Sequence, residues 1–246
     1  MKTSIGRSDT VMTGVILAIG IVIATSIGGW FFVKGKRGDQ TINVTGSARR
    51  RIKSDLVIWR SIVSYQAPDL KDAYRSLSEA VPKVKSYMVS KGIPEDKITI
   101  SAISTQTLHS RNTYGAESAE ITGYSLKQEL EVRSNEVEKI AKIAREATEL
   151  INQGILIESQ PPEYHNTQLG SLKIEMLAEA TKDAKERAKQ IAENTGSSVG
   201  SVRYARMGVL QITSADSNEV SDSGINDTSS FDKDITAVVN IGFEVY

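Results

Sequence analysis

The chain opens on one unbroken apolar run and then changes to short periodic segments. The run, Val11 to Val33, reads VMTGVILAIGIVIATSIGGWFFV and holds no Asp, Glu, Lys or Arg. About 20 apolar residues suffice to cross a bilayer as a helix, and a helix satisfies its own backbone hydrogen bonds where hydrocarbon cannot. Lys2 and Arg7 lie before the run, and Lys34, Lys36 and Arg37 follow it. Trp30, Phe31 and Phe32 sit where an interfacial aromatic belt would sit. The pattern predicts a tail at 1–10, a transmembrane helix at 11–33, a linker at 34–40 and one domain at 41–246. Two other readings stay open. One is a cleaved secretory signal with Ala24-Thr25-Ser26 as its small-x-small site; the other is an unusually long buried helix. Basic residues on both flanks leave the orientation undecided. Gly20, Ala24 and Gly28 recur every four residues, which suits close helix contact and also suits ordinary glycine usage in membrane helices.

After the linker the period alternates between two and 3.6. Thr41–Lys53 and Asp55–Gln66 read as strands. The second carries Leu56, Ile58 and Ile62 on one face and Val57, Trp59, Val63 and Tyr65 on the other, so both its faces are buried. Asp69 opens a helix as N-cap; Pro82 should bend it and Gly92 end it. Lys97–Leu108 reads as one strand. Glu120–Arg133 is a strand with Tyr124, Leu126, Leu130 and Val132 inward and Lys127, Glu129, Glu131 and Arg133 outward, which implies a sheet with one wet face. Asn135 with Glu138 looks like a capping pair for a helix reaching Ile151, stopped by Gly154. A short strand begins at Ile155. Gly170–Asn194 is the longest helix, with Leu172, Met176, Ala180, Ala184, Ala188 and Ile191 as its stripe and Gly196 as its cap. Ser198–Thr213 and Asp234–Tyr246 are the last strands, separated by an acidic loop at 214–230 expected to be mobile. The order is ββαββαβαββ, an α+β class with a mostly antiparallel sheet and helices on one face.

Composition adds little and excludes more. Lys+Arg and Asp+Glu are equal at 30 each, so nucleic acid is not an expected partner. There is no cysteine, which excludes disulfides, thiolate metal sites and a cysteine nucleophile. Charge is uneven: 34–53 is basic around Arg49-Arg50-Arg51, and 216–234 is acidic except for Lys233. Lys34, Lys36, Arg37, Arg49, Arg50 and Arg51 are therefore candidate contacts for anionic headgroups, against the alternative of a solvated strand end.

No chemistry is announced. His109 and His165 are the only histidines, in polar, loop-like settings without ligand spacing. Gly196-Ser197-Ser198-Val199-Gly200 only looks like a nucleophile elbow, because it leaves a helix toward a strand where the elbow joins a strand to a helix. There is no P-loop or dinucleotide fingerprint. Tyr65 and Trp59 could line a pocket or simply pack the core. No catalytic, metal or cofactor-binding residue is assigned.

Three patches carry a likeness to a known family. They are Ile42-Asn43-Val44-Thr45-Gly46-Ser47-Ala48, then Ile121-Thr122-Gly123-Tyr124-Ser125-Leu126 with Leu130-Glu131-Val132, and then Ala178–Lys189 with Gly196 and Gly200. In this order they resemble the SIMPL-domain family of bacterial envelope proteins: its V-x-G-x-G opening strand, its Gly-Tyr strand and its late Ala-rich helix. Ala48 replaces the usual second glycine, and Ser54-Asp55 replaces a commoner Pro-Asp. The resemblance implies an extracytoplasmic domain that self-associates, linked to envelope or oxidative-stress tolerance, with no catalytic residues to carry over. The expectation is a membrane-anchored structural or interaction protein, not an enzyme, with the bilayer and further copies of itself as partners. The alternative is a ligand-binding or sensing module.

Overall fold

The computed structural model describes residues 7–37, 40–111 and 116–246, with side chains in the first helix described at Met12 and 14–30. In chain order the elements are α1 (Arg7–Arg37), β1 (Thr41–Lys53), β2 (Leu56–Ala67), α2 (Leu70–Ser90), β3 (Ile98–Ile100), β4 (Ser104–Arg111) and β5 (Glu117–Ser134). Then come α3 (Val137–Glu146), β6 (Ile157–Ser159), β7 (Glu163–His165), α4 (Leu169–Asn194), β8 (Val199–Met207), β9 (Gln211–Ser214) and β10 (Asp232–Val245). The class is α+β with antiparallel strand pairing. The chain divides into two compact units, 1–48 with 177–208 and 238–246, and 49–176 with 209–237.

In the first unit, α1 is one helix of 31 residues. Its described side chains are all exposed and apolar or small, Ile16 at 61% and Val22 at 63% among them. Among the described residues no helix is long and apolar enough to cross a membrane. The span expected at 11–33 thus stands only as an exposed apolar helix. The side chains of Val11, Phe31, Phe32, Val33, Lys34, Lys36 and Arg37 lie outside the described residues, as does Lys2.

The remainder of this unit sets β10 between β1 and β8. Val44, Val239, Ile241 and Phe243 are buried, and so are Ala180, Ala184, Ala188 and Ala192 of α4. The stripe turns one residue past the expected Ile191, which is 45% exposed, and ends on Ala192. Small residues on the stripe let helix and strand approach closely: a Cβ on Gly46 would collide with the backbone of Ala180 and Ala184. Ser197 N–H bonds Ala192 O at 2.8 Å and Gly196 N–H bonds Glu193 O at 3.2 Å, the double closure of a left-handed helix end.

In the second unit, β2 and β5 form the spine of a six-stranded sheet, ordered β3-β5-β2-β6 with β4 on β5 and β7 on β2. They pair in unbroken register from Val57↔Ser134 to Ala67↔Tyr124. Val57, Trp59, Val63, Leu126, Leu130 and Val132 face a core shared with Leu77, Val84 and Met88 of α2 and Ile140 of α3. Trp59 is fully buried and donates to Ser159 Oγ at 3.0 Å, while Tyr65 is half-buried against the core and donates to Gly154 O at 3.1 Å.

Local details differ from the sequence pattern. Helix α2 starts on the Asp69 cap, which accepts from Lys71 N–H, and runs to Ser90 as one helix through Pro82. Helix α3 has no side-chain cap from Asn135; the Ser134 hydroxyl accepts the Glu136 N–H instead. After Glu146 it tightens into a 3-10 turn ended by Gly154 at φ 77°. The strand expected at 97–108 is broken, because 101–103 carries one residue more than β5 can pair between Ile100↔Leu130 and Ser104↔Lys127. The strand expected at 198–213 breaks at Gly208, whose N–H bonds Val238 O at 2.8 Å. The segment 214–230 is tied down: Ile212 N–H bonds Ile225 O, Asp227 N–H bonds Ile212 O, and Tyr164 N–H bonds Thr228 O.

Candidate interaction surfaces

Two features of the first unit offer themselves to a partner. β8 is the outer strand of its sheet and is exposed from Ser201 to Met207. Val202 is 55% and Met207 63% exposed, and a strand edge of this kind presents unpaired N–H and C=O groups. At the opposite edge, β1 and α4 frame an open groove of about 590 Å³, lined by Asn43, Val44, Thr45, Glu186, Arg187, Gln190 and Ile191. Asp183 of α4 ties that helix to β1. Its carboxylate accepts Ser47 N–H at 2.8 Å and Arg187 Nε at 2.8 Å, and these bonds hold it below the usual carboxylate range, Ser47 foremost.

The second unit gathers charge in two places. Of the arginines expected at headgroups, Arg49, Arg50 and Arg51 are ion-paired within the chain. Arg50 meets Glu175 at 2.7 Å. Arg49 and Arg51 converge on Asp234, whose side chain is 3% exposed, each at 2.7 Å. Asp216 adds its N–H to Asp234 at 3.0 Å and its carboxylate to Arg51 at 2.6 Å. Asp234 is pushed far below the ordinary range, chiefly by Arg51, and Arg51 is pushed up, chiefly by Asp234. On the wet face of the six-stranded sheet, Arg60 bridges Glu131 at 2.8 Å and Glu163 at 2.7 Å.

The histidines lie in strands rather than loops. His165 Nε2 is 3.3 Å from Glu163 Oε2 on β7, and His109 pairs with Ile121. Among the described residues no group of three or more His, Cys, Asp or Glu could hold a metal ion.

A family model described as SIMPL, a protein of unknown function (DUF541), matches residues 42–243. The chain belongs to the SIMPL family. Two curated relatives carry the description "26 kDa periplasmic immunogenic protein", one from Brucella melitensis biotype 1 and one from Brucella abortus. Each is 28% identical over 167 residues, which is 65% of this chain. The chain spans about 64% of the length of those relatives.

The geometry gives the SIMPL patches physical reasons. Gly46 is the point where α4 touches β1. At Gly123 a Cβ would stand 2.7 Å from Ala67 O. Ser54-Asp55 keeps the acid of the commoner dipeptide, and Asp55 accepts Thr167 N–H and Thr167 Oγ1, each at 2.7 Å, just ahead of α4.

One residue of the SIMPL domain escaped the sequence reading. The Lys233 side chain is 2% exposed, donates to the carbonyls of Tyr164 and Asp227, and lies 3.8 Å from the Asp227 carboxylate. Burial pushes its ammonium down. The signal was present: Lys233 continues the inward parity of Ile235, Ala237 and Val239 on β10.

Proposed function

We propose that this SIMPL chain is a membrane-tethered, extracytoplasmic interaction protein that associates with copies of itself and carries out no catalysis. The observation that carries the reading is β8, an outer strand exposed from Ser201 to Met207 with apolar side chains at Val202 and Met207. Natural proteins usually blunt such an edge, and a second copy would cover it. The exposed apolar helix α1 supports tethering, and Lys34, Lys36, Arg37, Arg49, Arg50 and Arg51 are the residues that would meet anionic headgroups. The description of the Brucella relatives as periplasmic supports an extracytoplasmic domain. Envelope and oxidative-stress tolerance is the proposed setting.

Light scattering of the detergent-extracted chain tests the association. An oligomer is expected, and Val202→Lys with Met207→Lys should dissolve it. A monomer at every concentration refutes the reading. Fractionation tests the tether: the full-length chain should resist carbonate extraction from membranes, and recovery in the water-soluble fraction refutes it.

A ligand-binding module is the second reading, favoured by the groove of about 590 Å³ beside β1. Drug-sized ligands occupy sites of about this volume. A thermal-shift screen against lipids, peptides and metabolites tests it, since a ligand bound only by the folded state raises Tm.

A further inference from the structure

Three cations stand along one face of β1. Arg49, Arg51 and Lys53 occupy alternate positions, and all three are exposed. Alternate strand residues are about 7 Å apart, so the row is continuous for a ligand bearing several oxygens. Two of the three are fixed from beneath by Asp234, to which Arg49 and Arg51 each donate at 2.7 Å. Their side chains remain 46% and 49% exposed. An arginine held in this way gives up little further freedom when it binds.

One carboxylate already lies on this row from the solvent side. Asp216 Oδ1 is 2.6 Å from Arg51 Nη2, while the Asp216 side chain is 84% exposed. Its backbone is left-handed at φ 63°, a conformation that aspartate and asparagine tolerate better than most residues. Ion pairs this exposed contribute little, so Asp216 is a weak occupant of a pre-oriented guanidinium.

We propose that Arg49, Arg51 and Lys53 form a phosphate-binding site that Asp216 masks by standing in the phosphate's place. The Nε–Nη2 edges of Arg49 and Arg51 face Asp234 and Asp216 takes Arg51 Nη2 alone, and a guanidinium N–H receives a phosphate oxygen as readily as a carboxylate oxygen. A phosphate displacing Asp216 keeps the Arg51 bond and gains Lys53. Asp234 is the positioning residue and stays buried in both states. The chemistry is common to a phospholipid headgroup and to a free phosphate. The headgroup arm deepens the contact proposed above for Arg49 and Arg51 and rests on it, and the arginine resonances distinguish its failure from failure of the tether, which size and fractionation report.

The test uses the full-length chain. In zwitterionic detergent it is titrated with inorganic phosphate while the arginine Nε–H resonances are followed. In nanodiscs of phosphatidylcholine, with and without phosphatidylglycerol, hydrogen exchange is measured across 49–53 and 214–218. Asp216→Asn keeps the left-handed preference and removes the charge. It should tighten phosphate by about threefold to fivefold, the worth of one exposed pair. Lys53→Gln leaves the Asp234 bonds untouched and should weaken phosphate by a similar factor. A phosphate response without a phosphatidylglycerol response identifies a soluble anion; protection that appears only with phosphatidylglycerol identifies a headgroup. If Asp216→Asn changes neither phosphate affinity nor exchange, the mask is refuted. If Lys53→Gln binds like the parent, the row is refuted.

Discussion

Replacing Asp234 by asparagine tests how far one buried carboxylate organises the second unit. Its oxygens accept from Arg49 Nη2 at 2.7 Å, Arg51 Nε at 2.7 Å and the Asp216 N–H at 3.0 Å. Asparagine keeps the shape, offers one oxygen in place of two, and turns a donor toward a guanidinium. Breaking a fully buried ion pair costs roughly 3–5 kcal/mol. Here the partners left behind are half-exposed arginines that water can rehydrate, so the loss should be smaller, about 2 kcal/mol. For a chain of this size that corresponds to about 4–8 °C in Tm. Urea denaturation of parent and variant, followed by tryptophan fluorescence, measures it. The pH dependence gives an independent arm. The folded-state pKa of Asp234 lies below the ordinary value of 3.8, so below that value the unfolded chain takes up the proton first. The carboxylate's contribution is complete above the ordinary value and is lost as pH falls below it. The parent's advantage over D234N should therefore hold from pH 5 to 7 and shrink toward pH 2. An advantage under about 0.5 kcal/mol at pH 7, or one that does not change on acidification, refutes the reasoning.

Gly46→Val should be more damaging, because the new side chain meets the backbone of Ala180 and Ala184 rather than a movable side chain. A loss of about 3 kcal/mol or more is expected, seen as a lower thermal midpoint by circular dichroism. Lys233→Met matches the buried stem but strips the Tyr164 and Asp227 carbonyls of their donor, with about 2–3 kcal/mol lost in urea. Since burial lowers the Lys233 pKa, the parent's advantage over that variant should grow as pH rises toward 10.5. Asp69→Ala removes the α2 cap bond to Lys71 N–H and should cost about 1 kcal/mol, with faster hydrogen exchange confined to the first turn of α2.

Much of the architecture could be read from the chain. The β5 alternation is clear because one side of that strand faces a core, so parity identifies Leu126 and Leu130 as interior; β2 is apolar on both sides and reads as buried on both, whereas Leu56 and Ile62 are only half-buried. Breaks were not visible at 101–103 or at Gly208, since a bulge depends on the register of a partner strand. β7 has only three residues, Glu163–His165, too few for any period. Charge was read as two runs, one basic and one acidic, but sequence does not say which residues meet across a separation like that of Arg51 and Asp234. Arg49, Arg50 and Arg51 therefore have internal partners that the run of basic residues does not announce.

The order β1-β10-β8 has a consequence during synthesis. The middle strand is translated after both of its neighbours. Until Val239–Val245 emerges, β1 and β8 have nothing between them, and the nascent chain carries two sticky edges with no template to join. β10 closes the sheet, so a chain broken off within Val239–Val245 would be prone to aggregate rather than merely shortened.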